Sequence, residues 1–383
     1  MKSYRVRERT HDELLYDLLH ARGVVGDGAI AQFLDPQFER DSHDPFLLPD
    51  MDVAVDRVLS ARARSEKVCV WSDYDCDGIP GGVMLTEFLR GIGIDVVHYI
   101  PHRHKEGYGL NQEGIETLAS AGVSLIITID LGTMEAENIS YAKTKGIDVI
   151  VTDHHIVPSE LPEALALLNP KRVDSKYPFD GLCGAGVAWK LVQGVLLRDR
   201  SLMKEGKEKW LLDLVGLATL ADMVPLVGEN RMLARYGLLV MRRARRPGLS
   251  ALLQVLRIRP STLTEDDIGF MVAPRINAAS RMDSPEAASK LLSSTNEGEA
   301  KILALELNRI NDIRKGVVAS IAKEANKRLH DLDLDSPVIV MGNPSWRPGV
   351  LGLVANTIAE AHGKPVFLWG REGGETIKGS CRS

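Results

Sequence analysis

Short apolar runs alternate with amphipathic stretches in the first half of the chain, and this pattern predicts a parallel sheet. The apolar runs at 67–72, 95–100, 124–130 and 148–152 have the length of strands, and helical spacing follows each of the first three. Continuous apolar strands that alternate with helices are typical of a parallel sheet covered on both faces. We therefore expect an α/β fold, with a mostly parallel sheet flanked by helices.

The rest of the chain is mostly helical, and its pattern divides the sequence into four parts. Helical spacing at 297–329 predicts a long connector helix, and a strand, a helix and another strand follow it. One strand–helix–strand unit cannot bury both faces of a sheet, so we expect this second, smaller α/β domain to be incomplete. The predicted parts are a helical lead-in at 1–65, a principal domain with a helical C-terminal part at 66–295, the connector helix at 296–330 and the smaller domain at 331–383.

Acidic and histidine side chains follow three of the predicted strands. Asp73, Asp75 and Asp77 alternate after the first strand, Asp130 ends the third, and 153–155 reads Asp-His-His after the fourth. The carboxyl ends of parallel strands lie at one edge of a sheet, which is the usual position of a site in an open α/β fold. Carboxylates so close repel one another unless a cation neutralises them, and their oxygens suit Mg²⁺ or Mn²⁺. For the first three aspartates alone, an ordinary solvated acidic turn is the alternative.

Three further segments are expected to be loops or helix ends. The glycine-rich segment 78–82 predicts a tight turn, with a helix from Val83, and 274–281 predicts a polar loop with two arginines. The arginine cluster at 242–246 is more typical of a solvated helix end than of a DNA track, so it is left out of the site.

Composition narrows the class of protein and its compartment. The 383 residues carry 47 Lys and Arg against 52 Asp and Glu, so the formal charge is −5 and a polyanion would need local positive patches. The four cysteines include no Cys-x-x-Cys pair, which argues against a disulfide framework or a zinc knuckle and fits a reducing cytoplasm. The N-terminus is charged rather than signal-like, and no apolar run is long enough to span a bilayer. We expect a cytoplasmic protein with no membrane partner.

The ordered acidic and histidine motifs resemble those of the DHH phosphoesterases. In order, they are Asp-Tyr-Asp-Cys-Asp-Gly at 73–78, Asp130, Asp-His-His at 153–155 and Ala-Asp-Met-Val-Pro-Leu at 221–226. A closer resemblance, over nearly the whole chain, is to the RecJ family of bacterial single-strand-specific 5′→3′ DNA exonucleases. The segments that carry it are 103–110, 182–188 and 274–279, together with 346–352 and 379–383, which resemble the opening of that family's DHHA1 domain.

The resemblance implies a two-metal site that holds Mn²⁺ or Mg²⁺. It implies that His155 contacts the scissile phosphate or assists proton transfer, with the orientation of its neighbour through a hydrogen bond as the alternative. The implied ligands are Asp75 and Asp130 for one ion, and Asp77, Asp130, His154 and Asp222 for the other.

The implied substrate is single-stranded DNA, and a single-stranded-DNA-binding protein or a helicase is the candidate protein partner. Arginine forks suit phosphate oxygens, so the loop and the C-terminal segments supply the expected contacts. For the phosphate backbone the expected contacts are Arg275, Asn277 and Arg281, with loop-anchoring hydrogen bonds as the alternative. For a 5′ phosphate they are Arg103, Ser380 and Arg382, with ordinary surface arginines as the alternative.

Two residues depart from the family pattern. Trp71 stands where many relatives carry a metal-binding histidine, which predicts a weaker first metal site. Arg347 stands where a histidine is usual, which predicts a changed grip of the second domain on the strand. The later half of DHHA1 and the OB-type domain of the family have no counterpart in the sequence.

Three functions are consistent with these residues. The preferred one is a metal-dependent 5′→3′ exonuclease that hydrolyses single-stranded DNA in repair and recombination. The first alternative keeps the chemistry but takes short RNA or cyclic dinucleotides. The second is a non-catalytic replication scaffold, against which the retained aspartates and His154 argue.

Overall fold

A five-stranded sheet organises the larger part of the protein. The computed structural model describes residues 8–10, 12–329, 336–372 and 374–383. The strands all run parallel and lie in the order β2-β1-β3-β4-β5, which confirms the predicted α/β class. Their bounds are β1 (Lys67–Ser72), β2 (Asp95–Tyr99), β3 (Val123–Ile129), β4 (Asp148–Thr152) and β5 (Ala166–Leu168).

Helices precede the sheet, connect its strands and form the region that follows it. Those up to β4 are α1 (Leu14–Ala21), α2 (Asp27–Leu34), α3 (Phe38–Asp41), α4 (Met51–Ala63), α5 (Gly78–Gly91), α6 (Gln112–Ser120) and α7 (Ala136–Thr144). Those after β5 are α8 (Gly184–Arg198), α9 (Leu212–Ala221), α10 (Gly228–Met241), α11 (Pro247–Val255), α12 (Ala273–Met282), α13 (Glu286–Ser293) and α14 (Glu297–Leu329). The predicted long helix is confirmed as α14, whereas the domain boundaries stay predictions. In the described ranges, no helix is both long and apolar enough to cross a membrane.

Alternate residues of β1 pack into two different apolar cores. Val68 and Val70 pack in the core that contains the buried residues of α5 and α8. Cys69 and Trp71 pack in the other, with residues of α6 and α7. Side chains of a strand alternate between its two faces, so this sheet is buried on both. That burial explains why its strands are continuous apolar runs.

A second, three-stranded sheet forms the smaller part. It consists of β6 (Ile339–Gly342), β7 (Val366–Gly370) and β8 (Lys378–Arg382), with α15 (Pro348–His362) packed on it. β6 and β7 are parallel, and β8 is antiparallel to β7. The strand–helix–strand prediction omitted β8, since this edge strand is mostly exposed and carries no apolar pattern.

The predicted tight turn at 78–82 is wrong, because α5 begins at Gly78. All five residues of the segment are buried, and its three glycines serve close packing rather than a turn. A Cβ on Gly78 would lie 2.4 Å from the Asp73 carbonyl oxygen, and one on Gly81 would lie 2.7 Å from the Ile129 side chain. Pro80 is tolerated because the first helical turn needs no internal N–H donor.

The predicted polar loop at 274–281 is also wrong, because these residues belong to α12. Pro274 stands in the first turn of the helix, where proline starts a helix rather than breaking it. A turn of π-helix at 267–272 runs directly into α12, and Ile276 and Ala279 are buried in the core. The polar composition of the segment concealed this apolar face.

The arginine cluster at 242–246 is only partly a solvated helix end. Arg243 is exposed, as predicted. Arg246 is instead mostly buried, with its Nε 2.7 Å from Asp213 and its Nη1 2.5 Å from Glu87. For Arg246 the prediction of a solvated side chain is wrong, because two carboxylates neutralise the guanidinium.

Candidate metal centre

The loop between β1 and α5 is held by the Asp75 side chain and by a hydrogen bond to β3. Asp75 accepts hydrogen bonds from the backbone N–H groups of Asp77 at 2.8 Å and Gly78 at 3.0 Å. The Asp73 N–H donates to the Ile129 carbonyl at 3.1 Å and so ties the loop to β3. The three aspartates therefore lie at the carboxyl edge of the sheet, as their positions in the sequence predict.

Asp77 is held by the N-terminus of α8. Its carboxylate accepts the backbone N–H groups of Gly184 at 2.6 Å and Ala185 at 2.8 Å. The first turn of a helix offers free N–H donors and a partial positive charge, both of which favour a carboxylate. A Cβ on Gly184 would lie 2.5 Å from the Asp130 Cβ, so this close approach requires glycine.

Asp130 directly follows β3 and has a left-handed backbone, with φ of 62°. Its N–H donates to the Thr152 carbonyl at 3.0 Å, and its own carbonyl accepts the Tyr108 hydroxyl at 3.2 Å. These contacts hold a conformation that few non-glycine residues adopt. Its carboxylate is buried, with Oδ1 3.1 Å from His154 Nε2 and 3.8 Å from His155 Nδ1.

His154 lies between three carboxylates. Besides Asp130, its Nε2 is 3.8 Å from Asp77 Oδ2 and 3.7 Å from Asp222 Oδ2. Burial, with a contribution from His155, lowers the pKa of His154 to about 4. The imidazole is therefore neutral near pH 7, which is the form that binds a metal.

His155 is oriented by Asp153 rather than by a candidate metal ligand. Its Nδ1 lies 2.7 Å from Asp153 Oδ1, and this hydrogen bond raises the pKa of His155. Although burial opposes it, hydrogen bonding from His155 and Thr133 holds the pKa of Asp153 below its ordinary value. The His155 side chain is 48% exposed, so it is accessible to solvent.

Seven side chains form what we call the Asp–His cluster, and they include all six predicted catalytic residues. Their ligand atoms fall into three groups, each with its atoms within 4.8 Å of one another. Asp73 joins one of these groups, although the sequence analysis gave it no ligand role. The groups are Asp73, Asp75 and Asp130; Asp77, His154 and Asp222; and Asp130, His154 and His155.

The electrostatics of the Asp–His cluster fit a bound cation. Burial and then Asp222 raise the pKa of Asp77 to about 8, and burial and then Asp75 raise that of Asp222 to about 6. Among the described residues, Asp73 Oδ1 is buried without a hydrogen bond, and Asp130 Oδ1 forms none either, although His154 Nε2 lies 3.1 Å from it. Unsatisfied carboxylate oxygens beside a neutral imidazole form a donor set that suits Mn²⁺ or Mg²⁺.

Trp71 does not take a ligand position. Its indole is fully buried in the core beside α6 and lies against Tyr99, with ring centroids 4.1 Å apart. The alternation of β1 turns this side chain toward the apolar core, so position 71 supplies no ligand to the Asp–His cluster, and the weaker first metal site stays a prediction.

Arg281 lies within electrostatic reach of Asp75 and of three arginines from other elements, and we call the four arginines the arginine group. Burial lowers the pKa of Arg281 to about 10, and the charges of Arg103, Arg314 and Arg382 act in the same direction. The Arg314 Nε is buried and has no hydrogen-bond partner within the described chain. The sequence analysis missed Arg314, since one arginine on a long polar helix carries no local signal.

The three residues predicted for a 5′ phosphate lie within or beside this arginine group. Arg103 stacks over the Tyr74 ring at 4.9 Å, next to the metal loop. Arg382 Nη1 donates to Ser380 Oγ at 3.1 Å. A Cβ on Gly352 would lie 2.9 Å from Arg382 Nη2, so α15 approaches this pair closely.

Arg275 and Asn277 instead form hydrogen bonds within the chain. The Asn277 Oδ1 accepts the Cys76 N–H at 2.8 Å and so anchors the metal loop to α12. Arg275 donates to the Met271 carbonyl at 2.9 Å and to Asn308 Oδ1 at 3.3 Å. Both side chains therefore form anchoring hydrogen bonds, the alternative given for them from the sequence, and their phosphate contacts stay a prediction.

Arg347 joins the smaller part to α12. Its Nη2 donates to the Met282 carbonyl at 2.7 Å, while Arg281 Nη1 donates to the Gly349 carbonyl at 3.3 Å. A Cβ on Gly349 would lie 2.7 Å from the Arg281 carbonyl oxygen. The start of α15 therefore packs closely against the end of α12, and this contact positions the arginine group.

Comparison with known proteins agrees with this geometry. The family described as "DHH family, N-terminal domain" matches residues 67–219. A solved structure described as exonuclease RecJ bound to manganese has a TM-score of 0.78 and 32% identity, over 88% of this chain and 82% of that one. The chain belongs to the RecJ family. A manganese complex of RecJ from Thermus thermophilus also has a TM-score of 0.78, with 29% identity over 95% of this chain and 52% of that one.

Curated RecJ relatives are longer than this chain. The RecJ single-stranded-DNA-specific exonuclease of Bacillus subtilis (strain 168) is 37% identical over 371 residues, 97% of this chain. That of Salmonella typhimurium (strain LT2) is 37% identical over 349 residues, 88% of this chain. The chain spans 46% and 60% of these two relatives, respectively.

Proposed function

We propose that this RecJ-family chain is a metal-dependent exonuclease that hydrolyses single-stranded DNA from its 5′ end, in DNA repair and recombination. The observation that carries the proposal is the Asp–His cluster beside the arginine group, with contributions from both α/β parts. The curated relatives support it, because they are named single-stranded-DNA-specific exonucleases. Those names favour DNA over short RNA, and the intact cluster argues against a scaffold.

We propose Mn²⁺ or Mg²⁺ as the cofactor, since solved RecJ structures are described in complex with each ion. Two such ions would supply a water of lowered pKa and would stabilise the charge that develops on the phosphate. Asp75 and Asp130 would hold one ion. The other would be held by Asp77, Asp130, His154 and Asp222.

The chain's own residues have distinct tasks in this proposal. Asp153 raises the pKa of His155, so this imidazole would donate a hydrogen bond or a proton to the scissile phosphate. Arg281 is buried among like charges, which favours a phosphate at its guanidinium. Ser380 and Arg382 close the strand path from the second sheet and bind the terminal phosphate.

The direct test is digestion by the purified chain with Mn²⁺, using single and double strands labelled at either end. Release of labelled mononucleotide from a 5′-labelled single strand, before any from a 3′-labelled one, is the expected result. Digestion from the 3′ end, or a preference for short RNA, would contradict the proposal. We propose a single-stranded-DNA-binding protein or a helicase as the protein partner. A faster digestion of tailed duplexes when such a protein is added would support this interaction.

Arg382→Ala should reduce the preference for 5′-phosphorylated over 5′-hydroxyl strands by about tenfold, the scale of one charge-assisted hydrogen bond. Mn²⁺ binding should not change, because Arg382 lies outside the Asp–His cluster. Arg371→Ala, an exposed arginine of the same part, is the matched control. An equal loss on both substrates would assign Arg382 to general strand affinity instead.

A further inference from the structure

The loop that joins β2 to α6, residues 100–111, carries two side chains to the metal site. Arg103 Cζ lies 4.9 Å from the centroid of the Tyr74 ring, and the Tyr108 hydroxyl donates to the Asp130 carbonyl at 3.2 Å. Neither side chain comes from a helix or a strand, so the shape of this loop decides where both of them lie.

Glu106 closes a turn around Arg103. Its Oε2 accepts the His102 N–H at 2.6 Å, and its own N–H donates to the His102 carbonyl at 2.8 Å. The two hydrogen bonds run in opposite directions between the same pair of residues, and so they close the turn 102–106. Arg103 is the second residue of that turn, which therefore sets the point from which its side chain extends.

The other carboxylate oxygen of Glu106 ties this turn to β2 and α6. Its Oε1 accepts the Tyr99 hydroxyl at the end of β2 and the Asn111 Nδ2–H at 3.4 Å. Asn111 caps α6, since its Oδ1 accepts the Gly114 N–H at 2.7 Å. An ionised carboxylate offers acceptors only, so it can receive donors from all three directions. One side chain thus joins a strand end, a helix start and the turn that carries Arg103.

Tyr99 gives Glu106 a fixed point of attachment. Its ring lies against the fully buried Trp71 indole, with ring centroids 4.1 Å apart. A Cβ on Gly114 would lie 2.9 Å from the Tyr99 hydroxyl oxygen and 2.4 Å from the Trp71 ring, so α6 packs closely on both. Closely packed side chains have little freedom to move, and the hydroxyl that reaches Glu106 is therefore held in place by the core.

The two glycines that follow Glu106 do not hold the loop by themselves. Gly107 and Gly109 both have left-handed backbones, with φ of 90° and 86°. Glycine loses more conformational freedom on folding than any other residue, so contacts elsewhere must hold such a segment in one shape. Glu106 supplies three of these contacts through its side chain.

The turn places Arg103 between the Asp–His cluster and the rest of the arginine group. Arg103 lies within electrostatic reach of Asp73 on one side and of Arg281 on the other. The turn also contacts α12, since His104 Nε2 lies 3.3 Å from the Arg281 carbonyl oxygen. An exonuclease that releases mononucleotides must bind the 5′ phosphate one nucleotide away from the scissile phosphate. A guanidinium beside the metal ligands is suitably placed for that contact.

We propose that Glu106 is a positioning residue for recognition of the strand end: its carboxylate closes the turn that presents Arg103 to the 5′ phosphate. Glu106 acts through Arg103 and does not itself contact the strand. The inference rests on the proposed function, because it takes the 5′ phosphate of single-stranded DNA as the group that Arg103 binds. A guanidinium that is already in position loses less conformational entropy on binding. Loss of the carboxylate should therefore weaken recognition of the 5′ end more than general affinity for the strand.

Fluorescence anisotropy of 3′-labelled single strands in EDTA measures recognition of the 5′ end without hydrolysis. We expect the full chain to bind a 5′-phosphorylated strand about tenfold more tightly than a 5′-hydroxyl strand, the scale of one charge-assisted hydrogen bond. Glu106→Ala should remove most of this preference and leave the affinity for the 5′-hydroxyl strand unchanged. Glu113→Ala, which changes an exposed glutamate in the first turn of α6, is the matched control and should keep the preference.

Two milder variants test the same contacts in case Glu106→Ala disturbs the fold. In Glu106→Gln the amide keeps one acceptor oxygen, but its nitrogen cannot accept a hydrogen bond, so we expect an intermediate preference. Tyr99→Phe removes only the hydroxyl and keeps the ring against Trp71, and it should also reduce the preference. A purely structural role of Glu106 would lower the melting temperature of these variants without changing the preference for a 5′ phosphate.

A double-mutant cycle shows whether Glu106 acts through Arg103. Arg103→Ala alone should reduce the preference for a 5′ phosphate at least as much as Glu106→Ala does. Adding Glu106→Ala to Arg103→Ala should then cause no further reduction, because the guanidinium to be positioned is already gone. A further reduction as large as that of Glu106→Ala alone would contradict the inference, since Glu106 would then act independently of Arg103.

Two further results would overturn the inference. One is an unchanged preference in Glu106→Ala, Glu106→Gln and Tyr99→Phe. The other is equal affinity of the unmodified chain for both strands, since Arg103 would then recognise no 5′ phosphate. Hydrolysis in Mn²⁺ tests the proposed function separately. An active chain whose Glu106→Ala variant keeps the preference would retain the exonuclease function and lose the inference, and an inactive chain whose variants behave as expected would do the reverse.

Discussion

Gly184 occupies the point where α8 meets β3, and its lack of a side chain lets Asp77 reach two backbone N–H groups. In Gly184→Ala the new Cβ would lie 2.5 Å from the Asp130 Cβ. We expect a loss of about 1–3 kcal/mol in the free energy of unfolding, the usual effect of overpacking, and weaker Mn²⁺ binding. Urea denaturation and a Mn²⁺ titration measure the two effects.

Gly186→Ala is the control, two residues along the same helix. A Cβ there would meet nothing closer than 3.5 Å, an ordinary contact. The stability of this variant should stay within roughly 1 kcal/mol of the unmodified chain, since alanine favours a helix over glycine. Equal destabilisation at both positions would mean that helix packing in general, and not the approach to Asp130, is sensitive.

Asp130 belongs to two of the three ligand groups, so Asp130→Asn removes a charge from both. We expect hydrolysis to fall roughly a hundredfold or more, the scale of losing one preorganised electrostatic contact in an active site. The fold should persist, because asparagine has nearly the same shape. Turnover in Mn²⁺ and circular dichroism measure the two expectations.

The matched control for Asp130→Asn is Asp95→Asn, at the opposite edge of the sheet and exposed. It should leave turnover unchanged. Near-normal turnover of Asp130→Asn in Mn²⁺ would contradict the metal assignment.

Residues at strand ends could be predicted from sequence, because the parallel register brings Asp75, Asp130 and His154 to one edge. Residues whose role depends on packing could not be predicted in this way. No local signal at Trp71 tells a core indole from a site residue, and none at Arg314 tells a partly buried guanidinium from a solvated one.

At the scale of secondary-structure elements, Arg246 joins three helices. It contacts Glu87 on α5 and Asp213 on α9, and it donates to the Leu292 carbonyl on α13 at 2.8 Å. Arg246→Met would leave two carboxylates without a counter-charge. We expect the free energy of unfolding to fall by about 3–5 kcal/mol, as when one partner of a buried ion pair is removed. Chemical denaturation measures it.

The control for Arg246→Met is Arg243→Met, three residues earlier and exposed. It should change stability by less than roughly 0.5 kcal/mol. If the two variants were equally stable, the ion-pair network around Arg246 would make no net contribution to the free energy of unfolding.

Four of the five strands of the large sheet were predicted to within one residue, since burial on both faces makes them continuous apolar runs, whereas the three-residue strand β5 was not predicted. Two of the errors fell where glycine and proline were interpreted as breaks. At Gly78 and Pro274 these residues begin helices, and only the close contacts of the folded chain reveal it.

At the scale of the whole molecule, the Asp–His cluster makes stability depend on pH when no metal is bound. Burial and neighbouring carboxylates raise the pKa of Asp222 to about 6 and that of Asp77 to about 8. A carboxyl group whose pKa is higher in the folded than in the unfolded chain makes its full contribution to stability below about pH 4. That contribution is lost as the pH rises through the pKa of the folded state. In EDTA, we expect Tm to fall by a few degrees between about pH 5 and pH 8.

Excess Mn²⁺ should remove most of this fall, because the cation neutralises the same carboxylates. Asp222→Asn should make the fall in EDTA smaller, since it deletes one titrating group. A Tm in EDTA that stays constant, or rises, across this range would contradict the electrostatic account of the site.

The left-handed backbone of Asp130 has a consequence for how the sequence can change over generations. Aspartate with this φ is less stable than glycine would be, by up to roughly 1 kcal/mol. A library selected only for resistance to heat should therefore accumulate glycine or asparagine at position 130. A library selected for nuclease activity should keep aspartate there, so the two lineages would diverge first at this position.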